Sequence, residues 1–161
     1  MSTALRNMAT VYLMNKKRFL LLYREGGKVI NNVYIGSAGG HFEANELNKS
    51  ETCVLREMKE EIGVTSDMIE NLALRYVVLR NVDGEIRQNY YFFADLKDEY
   101  TDELQSNEGN LRWVDFDGVL TLEMPYTAKK SVEHFLKTGR FDSYVYGAVV
   151  CEDVVDFVCM K

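Results

Sequence analysis

The chain has 161 residues, of which 47% are hydrophobic and 27% charged, and a net charge of −6 at neutral pH. That length fits one globular domain whose core needs no disulfide staples. The acidic balance argues against binding a nucleic-acid polymer, which wants a basic surface, but leaves a small anionic substrate open, because a bound cation reverses the local field.

Cys53, Cys151 and Cys159 are odd in number and form no CxxC pair. A disulfide framework and a zinc knuckle are therefore excluded, and free, mostly buried thiols in a reducing compartment are expected. His41 and His134 are too few for a histidine-rich metal site. The opening stretch MSTALRNMATVYLMNKKR alternates polar and apolar residues and does not read as a signal peptide. Apolar runs such as FLLLY at 19–23 fall far short of the ~20 residues of a membrane helix. A cytoplasmic protein without a membrane partner is the expectation.

In chain order, residues 8–14 and 18–23 read as strands joined at Asn15-Lys16-Lys17, with Gly26-Gly27 marking the next turn. Residues 33–38 read as a further strand leading into Gly39-Gly40. Helical periodicity runs over 48–62, with Ser50 as N-cap and Gly63 placed to end the helix in a left-handed conformation. Two long strands, 71–82 and 85–96, flank Asp83-Gly84, a strong hairpin signal. LRWVDF at 111–116 is a short strand. A second helix runs from Pro125 to Lys137 and is closed by Gly139, and the tail reads as a hairpin around Cys151-Glu152-Asp153. Many strands and two separated helices predict an α/β fold, a mixed sheet covered by a helix on each face.

The first helix poses the functional question. At about 100° per residue, Val54, Leu55, Met58 and Ile62 share one face, and Glu57, Glu60 and Glu61 fall on nearly the opposite side. Acidic residues in the last turns oppose the helix dipole by ~0.3–1 kcal/mol each and repel one another. Two readings follow: a solvated acidic face, or a site where a divalent cation supplies the missing charge. Oxygen-only ligands suit Mg2+ or Mn2+.

Gly40, Glu46 and the run Arg56-Glu57-Met58-Lys59-Glu60-Glu61-Ile62-Gly63-Val64 resemble the Nudix box. That motif reads Gly, five residues, Glu, seven residues, Arg-Glu, an aliphatic residue, any residue, Glu-Glu, any residue, Gly and an aliphatic residue. The second half matches at every defined position, and the order of strands and helices accounts for nearly the whole chain. The resemblance implies a single Nudix hydrolase domain over 1–161 with an α/β/α sandwich around a mixed central sheet. One departure stands out: nine residues separate Glu46 from Arg56, so counting back from Arg56 puts Asn48 at the glutamate position. Either Glu46 keeps its usual role across a bulge, or the first glutamate of the box is lost.

The resemblance further implies Mg2+- or Mn2+-dependent hydrolysis of a nucleoside diphosphate linked to a group X. Glu57, Glu60 and Glu61 would be metal ligands, with Glu57 as ligand or base, and Arg56 would orient a carboxylate. The backbone at Gly39-Gly40 would add a carbonyl ligand where glycine permits close approach. Arg24, Glu43 and Arg87 are candidate substrate contacts, and His41 is a loop residue with no assigned role. Tyr90, Tyr91, Phe92 and Phe93 could stack on a base, although alternation turns only half of them to one side and core packing is the simpler reading. Glu108, in SNEGNLRWV, is either a solvated turn residue or a loop carboxylate that approaches the metals as base or ligand. The proline of ADP-ribose hydrolases, the tyrosine of diadenosine polyphosphate hydrolases and the signature of NADH pyrophosphatases are absent. Elimination leaves a MutT-like nucleoside triphosphate pyrophosphatase releasing a nucleoside monophosphate and pyrophosphate, with room for a homodimer. The alternative from another class is a non-catalytic Nudix-fold binding or regulatory domain, in which the acidic half of the box is usually degraded.

Overall fold

A computed structural model of the protein describes residues 3–26 and 31–161; Gly27, half of the predicted glycine turn, lies outside them. The elements are β1 (Ala4–Asn15), β2 (Arg18–Arg24), β3 (Val33–Ile35), β4 (Ala38–His41), α1 (Ser50–Ile62), β5 (Ile69–Val82), β6 (Glu85–Leu96), β7 (Asn110–Asp115), α2 (Tyr126–Lys137), β8 (Val145–Cys151), β9 (Val154–Val155) and β10 (Val158–Met160).

The ten strands of the described residues join one mixed sheet whose main path runs β10-β8-β5-β6-β1-β2-β3. β1 is its axis. Along one edge it pairs parallel with β6, from Ala4↔Glu85 to Met14↔Asp95; its other edge is divided between β4 and β2. Two turns set the hairpins. Lys16 and Lys17 both adopt positive φ, as do Asp83 and Gly84, the geometry whose twist matches flanking antiparallel strands.

Alternation along β1 divides the core. Ala9, Val11 and Leu13 face α1, where they meet Val54, Met58 and Ile62. Tyr12 faces α2 and packs with Phe19, Phe93, Val132 and Phe135; Phe93 stacks on Phe135 with ring centroids 3.8 Å apart. Each such buried side chain contributes roughly 1.5–3 kcal/mol. One helix on each face of the sheet is the predicted α/β/α sandwich.

Several local expectations change. The strand predicted over 33–38 breaks at Gly36-Ser37, because the buried Ser37 hydroxyl accepts from Leu13 N–H and donates to the Leu20 carbonyl. Ser50 is the first helical residue of α1 and Lys49 occupies the cap without a side-chain bond. Gly63 ends α1 as predicted, at φ 69°, with its N–H on the Lys59 carbonyl and Val64 N–H on that of Met58. Thr138, not Gly139, caps α2; a Cβ on Gly139 would lie 2.5 Å from the Tyr76 hydroxyl, so that glycine serves close packing. The cysteines are free, but only Cys53 is buried. Phe92, Phe93 and Tyr91 are core residues, and Tyr90 is half-buried against Phe42.

Candidate active site

The site forms where α1 crosses β4. Strand β4 is AGGH, and its small residues let the helix approach. A Cβ on Gly39 would lie 2.4 Å from the Ala9 carbonyl oxygen; one on Gly40 would lie 2.4 Å from Glu57 Oε1. Gly40 is therefore a cradle that the Glu57 carboxylate occupies. Gly39 N–H donates to Glu61 Oε2 at 3.0 Å.

This placement corrects the helical-wheel reading. Glu57 is not opposite the packing face: it is buried, at 9% exposure, on the flank that meets β4. Glu61 is half-buried beside it, and only Glu60 projects into solvent.

Electrostatics follow from that gradient of burial. Desolvation pushes the Glu57 carboxyl above its usual range, even though Arg56 donates to it. Glu61 is pushed up to about 7, chiefly by burial and further by the charges of Glu57 and Glu108, against the bond from Gly39. At Glu57 the Arg56 guanidinium does not cancel the cost of burial, and Glu61 has no ion-pair partner among the described residues.

Arg56 organises the other side. Its Nε donates to Glu46 Oε1 at 2.7 Å and its Nη2 to Glu46 Oε2 at 3.0 Å, a bidentate pair. Nη1 reaches Glu57 at 2.9 Å and Glu60 at 3.0 Å, and Nη2 also reaches the His41 carbonyl. Glu46 is 2% exposed and also accepts from Glu43 N–H. The paired guanidinium holds its carboxyl down at about 2, and the Arg56 pKa is raised in return. Asn48 is exposed. Glu46 is thus the residue that meets Arg56, and the additional residues are absorbed in the turn at Leu47-Asn48 before α1. The Glu43 carboxylate is mostly exposed and 3.9 Å from Arg56.

Glu108 is brought to the same hollow. The loop before β7 is tied to the end of α1, with Asn107 N–H on the Glu61 carbonyl and its side chain on that of Glu60. Glu108 pairs with Arg24 at 2.9 Å, and both line the cavity with Glu57 and Glu61. Arg87 is not there. It pairs with Glu85 in a neighbouring cleft on the α2 face of the sheet. His41 is exposed and accepts from Arg6 Nε.

Arg6 and Arg80, which line that cleft with Arg87, belong to no motif in the sequence. Only the strand register brings them together. Among the described residues, no three Asp, Glu, His or Cys side chains converge as a closed metal-ligand set. Arg56 draws the Glu57 and Glu60 carboxylates towards itself. The donor chemistry nevertheless fits a hard cation: carboxylate oxygens, a glycine cradle and a buried acidic group short of positive charge.

A sheet sandwiched by two helices, with a glutamate-rich helix docked on a Gly-Gly strand, defines the class of Nudix-fold proteins. The NUDIX domain profile matches residues 4–135, and the chain belongs to that family. No curated protein matches it in sequence. Solved structures that it resembles include a MutT protein from Bacillus halodurans (22% identity, TM-score 0.69, covering 96% of this chain and 97% of that one). Another is a MutT protein from Methanosarcina mazei Go1 (20%, 0.67, 87% and 99%). The dihydroneopterin triphosphate pyrophosphohydrolase of E. coli is a third (16%, 0.64, 83% and 94%). At these identities the likeness is one of fold. No helix is long and apolar enough to cross a membrane among the described residues.

Proposed function

We propose that the protein is a divalent-metal-dependent pyrophosphohydrolase. It would cleave a nucleoside diphosphate linked to a group X, with MutT-like conversion of a nucleoside triphosphate to nucleoside monophosphate and pyrophosphate as the simplest case. The observation that carries this reading is the Glu57 carboxylate seated in the Gly40 cradle, with the half-buried Glu61 beside it. Repelling acidic groups held partly out of water make sense as a cation site.

Glu57, Glu60 and Glu61 would hold Mg2+ or Mn2+, with a backbone oxygen of Gly39-Gly40 in reach. When bound, such an ion neutralises phosphate oxygens and lowers the pKa of a coordinated water. The chain's own residues supply the rest. Arg56, locked by Glu46, fixes the direction of the Glu57 and Glu60 carboxylates. Glu61, oriented by Gly39 N–H, is the carboxylate whose burial cost a bound cation would relieve. Glu108 offers a second acceptor at the same cavity and Arg24 a donor for a phosphate oxygen. Glu57 and Glu108 are the candidate bases.

Phosphate and pyrophosphate release from a panel of nucleoside triphosphates and nucleoside diphosphate conjugates, with Mg2+, Mn2+ or chelator, tests this. Metal-dependent turnover lost in Glu60→Gln and Glu61→Gln is the expected result. Binding of nucleotides without turnover would favour the non-catalytic alternative, against which stands the intact acidic half of the box.

A further inference from the structure

The cleft beside the acidic site is floored by β1, β6 and β5 and bordered by the start of α2. It adjoins the acidic cavity through Met8, Arg24, Ile35 and Gly39, which line both. The register is what matters here. Arg6 of β1 is opposite Arg87 of β6, and Arg87 is opposite Arg80 of β5. Three arginines thus form one row across three adjacent strands, on the same side of the sheet. Strands are about 4.8 Å apart, and like charges directly opposite one another destabilise a sheet.

Among the described residues, one carboxylate is paired with this row: Glu85, 2.7 Å from Arg87 and 3.6 Å from Arg6. Among the described residues, Arg80 has no carboxylate partner, and its Nε is buried without a hydrogen bond. Buried donors are ordinarily satisfied, so the orphaned Arg80 Nε on this row points to an absent partner. Three guanidinium groups against one carboxylate leave two positive charges, in a protein whose net charge is −6. A phosphomonoester, a dianion near neutrality with three acceptor oxygens, matches that excess and that set of planar donors.

The row also stands away from the diphosphate position. Ala9 pairs with Gly40, and Arg6 precedes Ala9 by three residues, about 10 Å along the strand. Arg80 lies two strands further across, roughly another 10 Å. The Arg6 guanidinium bonds His41 beside the acidic cavity and Arg80 lies farthest from it, so a contiguous triphosphate resting on the carboxylates does not engage the whole row.

We propose that the preferred substrate carries a phosphomonoester set apart from the scissile diphosphate, on the nucleoside or on X, and that the Arg6–Arg87–Arg80 row binds it. This rests on the acidic site being where the diphosphate is held. It narrows the substrate class from any nucleoside diphosphate conjugate to doubly anionic ones.

Calorimetric titration of the full chain, without turnover, tests it in two arms. In the ribose arm, adenosine 2′,5′- and 3′,5′-bisphosphate are compared with adenosine 5′-monophosphate. In the other arm, 5-phosphoribosyl 1-pyrophosphate is compared with inorganic pyrophosphate, both in chelator so that no metal-dependent turnover occurs. In at least one arm the added phosphate should tighten binding about tenfold or more, the worth of a charge-assisted contact. That preference should collapse towards unity in Arg80→Gln and in Arg6→Gln, and recover in part in Arg80→Lys, which keeps charge but loses the planar fork. Using a ratio within each variant cancels general effects on folding, and the two variants on separate strands guard against misfolding of either. No preference in either arm, or one that survives both glutamine variants, overturns the proposal. Preference without any hydrolysis would remove the enzyme reading and leave the arginine row standing; metal-dependent hydrolysis without preference would do the reverse.

Discussion

Replacing Glu46 with alanine tests how the box tolerates its longer spacing. The change strips Arg56 of its bidentate partner and the Glu43 N–H of its acceptor. Breaking a buried ion pair by removing one member costs about 3–5 kcal/mol. Arg56 is 21% exposed and keeps Glu57 and Glu60 as partners, so the lower end applies, about 3 kcal/mol. At ~2–4 °C per kcal/mol for a chain of this size, Tm falls by roughly 6–12 °C. Glu46→Gln keeps the shape and loses the charge, costing about 1–2 kcal/mol. Asn48→Ala, at an exposed turn position, stays within ~0.5 kcal/mol. Thermal melts in chelator at pH 7 measure all three. A pH series adds an independent check of sign. The Glu46 pKa is about 2 in the folded protein against 4.5 ordinarily. Its contribution is therefore present above pH 4.5 and is lost as pH falls through about 2. The stability gap between wild type and Glu46→Gln should narrow over that window. Were Glu46→Ala to melt within ~2 °C of wild type, or Asn48→Ala to melt as early as Glu46→Ala, the pairing of Glu46 with Arg56 would carry no weight and the register would follow the helix instead.

The remaining predictions concern the acidic helix and the loop beside it. Glu60→Gln and Glu61→Gln should lose most turnover yet melt no earlier than wild type in chelator, and Mg2+ should raise Tm more in wild type than in either; full turnover in both would reject the cation site. Without metal, urea unfolding should show stability falling as pH rises from 4.5 towards 7, because Glu61 holds its proton more tightly folded, with a pKa of about 7, than unfolded. That slope should flatten in Glu61→Gln. Gly40→Ala places a methyl 2.4 Å from Glu57 Oε1 and should cut turnover at least ~10-fold while circular dichroism stays native, since a displaced catalytic group loses rate steeply; unchanged turnover would show that Glu57 need not sit there. Glu108→Gln should lower kcat more than it changes KM and flatten the acidic limb of the pH–rate profile, and an unaltered profile would leave Glu57 as the base.

What could be read from the sequence tracks how local its cause is. The Asp83-Gly84 hairpin and the Gly63 helix end are set by conformations a few residues dictate, and both form where expected. The acidic motif is likewise a local pattern. The position of Glu57 is not. A wheel assigns faces relative to one packing surface, whereas α1 meets two, the sheet beneath it and the edge of β4 beside it. Ser37 broke a predicted strand for a similar reason: its hydroxyl bridges β1 and β2, a tertiary preference that propensity does not contain. The choice between Glu46 and Asn48 also needed burial, since both were within reach in sequence. The arginine row was the least legible feature, as Arg6 and Arg87 become neighbours only through a parallel pairing of distant strands.

That pairing has a consequence for how the molecule is made. β1 is synthesised before the other described strands, yet its long partner β6 begins only at Glu85. Until then β1 can fold back only on β2 and β4, over short stretches. A nascent chain halted before residue 85 would therefore expose an unpaired strand edge with Val11 and Leu13 on one side and Tyr12 on the other. Closing so long a loop before any reward in contacts predicts slow, late-committing folding. The acidic helix is complete on the ribosome before the loop bearing Glu108 exists. The acidic cavity would then be completed only once the loop bearing Glu108 has emerged, and the early chain is where a chaperone has most to do.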